Sequence, residues 1–251
     1  MGFYHLSKEE RAKLVEAINQ GISDDLTRGK NDYILEYFAD EDTYIRKAGY
    51  QAIGKMYRNN KTLRPAIIDT LRKLLDSESD KVRQTSINAA GEIGKFDFDR
   101  VRDFFDKGLF DNHHSVRNAV IGSIKKMGEK NPQPTLQWAN QYLHHPDKEI
   151  RREICHGIEL RGRTHPQDIL PMLELLQNDQ TARVRNTLIH VLGQIAYKKG
   201  CLETVVQALI RWDNRKLVEK AFDEIVDVHE RYKDFAALTP QQAIDYIDKN
   251  Q

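Results

Sequence analysis

Eleven side chains in this sequence have the chemistry to hold a ligand: Lys47, Gln84, Asn118, Lys126, Arg152, His156, Arg161, Arg163, Arg183, Asn186 and His190. They are bases, amides and imidazoles, which suit a phosphate backbone or the polar groups of a partner protein. The guanidinium of Arg152 could meet a phosphate bidentately, or it could pair with its neighbours Glu149 and Glu153. Arg161-Gly162-Arg163 reads as a phosphate-contacting turn or as a solvated helix end. His156 and His190 could ligate a metal or move a proton. On their face the sequence offers no obvious carboxylate or thiol, because Cys155 falls on an apolar stripe, so the expectation is a polar contact and no metal site. There is no phosphate-cradling glycine loop, nucleophile elbow or paired-cysteine motif. No catalytic residue and no cofactor are expected.

The spacing of these residues follows from a ladder of apolar-Arg dipeptides: Ile45-Arg46, Val82-Arg83, Val116-Arg117, Ile150-Arg151 and Val184-Arg185, with Leu217-Val218 as a copy without its arginine. The arginines are 37, 34, 34 and 34 residues apart. Such a period means stacked two-helix units. With each Arg as position zero, plus 4 reads Tyr50, Ile87, Ile121, Cys155, Ile189, Phe222 and plus 7 reads Ile53, Ala90, Ile124, Ile158, Leu192, Ile225. Steps of three and four place them on one buried helical stripe. Plus 1 (Lys47, Gln84, Asn118, Arg152, Asn186, Glu219) and plus 5 (Gln51, Asn88, Gly122, His156, His190, Asp223) form another, polar face. Partner helices are predicted through Tyr33–Phe38, Leu63–Leu75, Arg100–Leu109, Leu136–Leu143, Ile169–Leu176 and Val205–Ile210.

The predicted fold is an all-α, right-handed α-α superhelix of HEAT-like type, one domain over 1–251 with about six helix pairs. The repeats fall at roughly 31–60, 62–97, 98–131, 133–164, 165–200 and 201–232, with capping helices at 7–27 and 239–250. Ser7 and Glu10 form a capping-box pattern, and Thr239-Pro240 opens the last helix. Asp40, Asp111 and Asp179, each six residues before an arginine, are expected to pair with arginines of neighbouring repeats.

The formal net charge is +1, but it is unevenly spread. Residues 114–199 carry 13 basic against 8 acidic groups, whereas residues 200–251 carry 7 against 10. A basic, amide-rich wall over repeats three to five fits a phosphate backbone, and the acidic last repeat would repel one. Trp138 and Trp212 are expected to pack, with base stacking as the other use. The two cysteines give no disulfide framework, and no apolar run approaches membrane-spanning length. The amino-terminal segment lacks a signal-peptide core. The expectation is a cytoplasmic protein.

From Trp138 to Trp212 the sequence resembles the HEAT-like alkylpurine DNA glycosylase superfamily, through Trp138 before a His-Pro turn, Arg151-Arg152, Gly157, Pro166, Leu170-Pro171, Asp179 and Val184-Arg185. The resemblance implies a solenoid that clasps DNA, with a carboxylate and tryptophans that stabilise the cationic sugar formed on base loss. His156 stands where one branch has an acid, and Arg161-Gly162-Arg163 replaces an aromatic. An imidazole cannot offer that charge to an oxocarbenium-like state. The expectation is therefore a non-catalytic DNA-binding protein related to alkylation repair. A protein-interaction scaffold is the first alternative and an active glycosylase the second. DNA or another protein is the expected partner.

Overall fold

A computed structural model describes residues 2–251. The chain forms two compact units, the first ending at Asn131 and the second running from Pro132 to Gln251. The boundary falls between the third and fourth repeats. In the first unit, α1 (Lys8–Arg28) caps the series α2 (Asp32–Ala39), α3 (Thr43–Asn59), α4 (Arg64–Leu74), α5 (Asp80–Gly94), α6 (Arg102–Gly108) and α7 (His114–Lys130). The second unit contains α8 (Pro132–Asn140), α9 (Lys148–Gly157), α10 (Glu159–Gly162), α11 (Leu170–Glu174), α12 (Ala182–Gln194), α13 (Cys201–Leu209), α14 (Arg215–Arg231) and α15 (Pro240–Asn250). No strand occurs among the described residues. The architecture is an all-α solenoid of the HEAT type.

Sequence chemistry explains the boundaries. Asp42, Ser79, His113, Asp147 and Asn214 each accept a first-turn backbone N–H, opening α3, α5, α7, α9 and α14. Ser7 and Thr239 form the two capping boxes of the end helices. Gly29 closes α1 in the left-handed region at φ 64°, where a side chain would be strained. Helix α8 starts earlier than the apolar pattern predicts. Pro132 and Pro134 sit in its first turn, where a missing N–H leaves no intrahelical bond unmade.

The inner helices stack in sequence, α3 on α5 on α7 in the first unit and α9 on α12 on α14 in the second. The plus 7 column is buried throughout, and in the plus 4 column only Ile189 is half-buried. The arginine ladder holds the turns. Arg83, Arg117 and Arg151 each donate from Nη1 to the carbonyl six residues earlier, at 2.8, 2.6 and 2.7 Å. Arg46 and Arg185 make the equivalent bond. Each arginine thereby satisfies a carbonyl in the turn between the two helices of its repeat. Arg83 and Arg151 also reach the next repeat, pairing with Asp111 and Asp179.

The plus 8 column sets how closely neighbouring inner helices approach. It holds Gly54, Gly91 and Gly193, but Lys125, Glu159 and Val226 in the third, fourth and sixth repeats. A Cβ on Gly54 would lie 2.5 Å from the Glu92 Cβ, one on Gly91 2.8 Å from the Ser123 Cβ, and one on Gly193 2.6 Å from the Glu224 Cγ. Gly91→Val is expected to destabilise the first unit by about 1–3 kcal/mol, the usual cost of overpacking. Chemical denaturation would measure it; an unchanged midpoint would mean that α5 and α7 are not held at this distance.

Candidate functional site

The polar face of the first unit's inner helices carries Lys47 and Asn118, both exposed, and Gln84 and Lys126, both half-buried. The Lys126 ammonium lies 3.9 Å from Glu92 Oε1 and 5.4 Å from the centre of the Tyr50 ring. Burial, reinforced by the nearby Lys95 and Lys47 and opposed by Glu92, depresses the Lys126 pKa. Glu92 also holds Lys95 at 2.5 Å. The cations here therefore gather about a carboxylate.

The second unit carries a denser polar band across α9, α10, α12 and α14. Arg152 donates from Nε to Glu149 at 2.9 Å and lies 3.5 Å from Glu153. Glu149 also meets Arg183 from the next inner helix at 3.2 Å. Arg161 donates to Asp168 at 2.7 Å. Arg163 grips Glu159 Oε1 through Nε and Nη2 at 3.0 and 2.6 Å, and its Nη2 reaches Gln194 Oε1 at 2.8 Å. The other Glu159 oxygen lies 3.2 Å from His156 Nε2. His190 Nδ1 lies 3.4 Å from Glu224, which also neighbours Arg231. The rings of His156 and His190 stand edge to face, their centres 6.3 Å apart. Asn186 is exposed on the same helix as His190.

This geometry changes what the sequence suggests about the basic face. The carboxylates that seemed missing from it are present: Glu149, Glu153, Glu159 and Glu224 all meet its cations or histidines. Arg152 takes the ion-paired alternative, and Arg161 and Arg163 are engaged by Asp168 and Glu159. The expectation that no carboxylate joins the two histidines is overturned by Glu159. A signal for it existed. Glu159 lies three residues beyond His156, one helical turn along the same face. It stands at plus 8, outside the polar columns plus 1 and plus 5, and α9 ends at Gly157 before α10 begins, so the helical period is interrupted there.

Trp138 and Trp212 are each only 2% exposed, which leaves neither ring face for a base. Both cysteines are buried, and burial raises the Cys155 thiol pKa far above its ordinary range, keeping it a protonated, inert thiol. No described helix is long and apolar enough to cross a membrane.

Comparison with solved structures agrees with this architecture. The MAST/Orbit N-terminal domain superposes with a TM-score of 0.53 at 20% identity, covering 77% of this chain and 96% of that domain. A chain of crescerin, a protein reported to use a TOG domain array to regulate microtubules in the primary cilium, gives 0.51 at 17% identity, covering 74% of this chain and 85% of its own. These likenesses show the fold, a helical-repeat solenoid, and the fold alone. No family model matches the chain, and comparison with curated proteins finds no match.

Proposed function

We propose that the chain is a non-enzymatic interaction scaffold whose inner-helix polar face binds a segment of another protein. The observation that carries this reading is the pairing of the face's cations with carboxylates, above all Arg152 and Arg183 sharing Glu149. A nucleic-acid backbone is a uniform polyanion. To bind here it would have to displace Glu149 and Glu159 from their arginines or lie against their charge, and either costs Coulomb energy. A polypeptide of mixed charge can instead exchange partners with each half of a pair on the second unit's face and hydrogen-bond its exposed amide Asn186.

DNA binding is the competing reading, supported by the local basic excess over residues 114–199. Glycosylase activity would need a carboxylate free to face a cationic sugar, whereas Glu159 is already held by Arg163 and His156. Anisotropy of labelled duplex and branched DNA at two salt concentrations separates the readings. The scaffold predicts little binding even at low salt. Tight binding that falls steeply with salt, with a log–log slope of roughly −0.9 per phosphate contact, and weakens in Arg152→Ala would reject it. A photo-crosslinking residue at Asn186 should capture protein, and Glu149→Arg should reduce that capture.

A further inference from the structure

We infer that His156, Glu159 and His190 form a binding site for one divalent transition-metal ion, with zinc the favoured occupant. The three side chains come from two neighbouring repeats, and one ligand atom from each lies within 4.8 Å of the others. Four ligands at zinc bond lengths of about 2.0–2.2 Å stand about 3.4 Å apart at the corners of a tetrahedron. His156 Nε2 and Glu159 Oε2 already span one such edge at 3.2 Å. Closing the set asks for a shift of about an ångström in ligand position. His190 can make it, because its side chain is 44% exposed and the shift lies within rotamer adjustment.

The supporting contacts are those a metal site needs. Arg163 holds Glu159 by Oε1, the oxygen that does not face His156, and so orients the carboxylate toward the two histidines. Glu224 lies against His190 Nδ1, the carboxylate–histidine relation that fixes a ring and raises its basicity toward a metal on the other nitrogen. Glu159 is 2% exposed at its side chain, a buried anion whose charge a dication would compensate together with Arg163. Two imidazoles and one carboxylate suit zinc over magnesium or calcium, which prefer all-oxygen sets. Three protein ligands leave a fourth position, and with His156 36% exposed that position opens to water. The site arises where the fourth repeat carries Glu159 in the column that reads Gly54, Gly91, Lys125, Gly193 and Val226 in the other repeats. This inference stands apart from the scaffold reading, because it concerns what the side chains bind and not which partner the face meets.

The test is zinc titration of the full chain against a competing chromophoric chelator, followed by cobalt substitution. The expected result is one zinc per chain and the intense visible bands of four-coordinate cobalt. His156→Ala and His190→Ala should each weaken zinc by on the order of tenfold or more. His144→Ala, in an exposed turn, should bind as the wild type. Circular dichroism confirms that each variant is folded; if one histidine variant fails to fold, the other decides. No stoichiometric binding, or binding that survives both His156→Ala and His190→Ala unchanged, would overturn the inference.

Discussion

Arg151→Ala should lower the unfolding free energy of the second unit by about 3–5 kcal/mol, the range for breaking one partner of a buried ion pair. Arg151 and Asp179 are 14% and 5% exposed at their side chains. Two parallel bonds join them, Nε to Oδ2 at 2.6 Å and Nη2 to Oδ1 at 3.1 Å. The third guanidinium nitrogen donates to the carbonyls of His145 and Pro146 at 2.7 and 2.9 Å. Truncation therefore strands a buried carboxylate and uncaps a turn in one step. Urea or thermal denaturation measures the loss; a change below about 1 kcal/mol would place the pair among ordinary surface bridges.

The same pair sets an acid dependence. Burial pushes the Asp179 carboxyl upward, but the Arg151 bonds and the Thr181 backbone N–H outweigh it and hold its pKa below the usual value. A carboxyl depressed in the folded state contributes stability above the ordinary aspartate pKa of about 3.9 and loses it as pH falls through the folded value. Asp179→Asn should thus be less stable than the wild type at neutral pH, with the gap narrowing in acid. Asp111 is depressed in the same way by Arg83 and the His113 N–H against its burial, so the first unit should show a parallel acid limb.

Trp212→Ala should cost about 3–5 kcal/mol, as expected for emptying a buried indole site. Trp212 follows α13 and is 2% exposed, so its ring fills core volume that an alanine would leave empty. Trp212→Phe should recover part of the loss. Urea unfolding reads both variants. If Trp212→Ala unfolds like the wild type but binds a ligand more weakly, the indole serves recognition and the packing account fails.

The repeat is legible in the amino-acid sequence alone. A recurring arginine near the start of the first five inner helices bonds the carbonyl six residues back, and that contact is local, so its period survives as a readable pattern. Helical spacing then gave the apolar stripe, and capping residues gave the helix starts. Those signals are carried by nearest neighbours along the chain or by an average over a whole helix face. Which polar side chains are engaged follows from contacts between repeats. Arg183 meets Glu149, Arg163 meets Gln194 and His190 meets Glu224 across sequence separations of 34, 31 and 34 residues. Each meeting depends on the rotation and separation of adjacent inner helices, which between α12 and α14 the close approach at Gly193 helps to set. Coulomb and hydrogen-bond energies change over distances of an ångström, far finer than a spacing rule resolves. Net charge along a segment thus showed where cations are frequent, and only their partners showed that they are engaged.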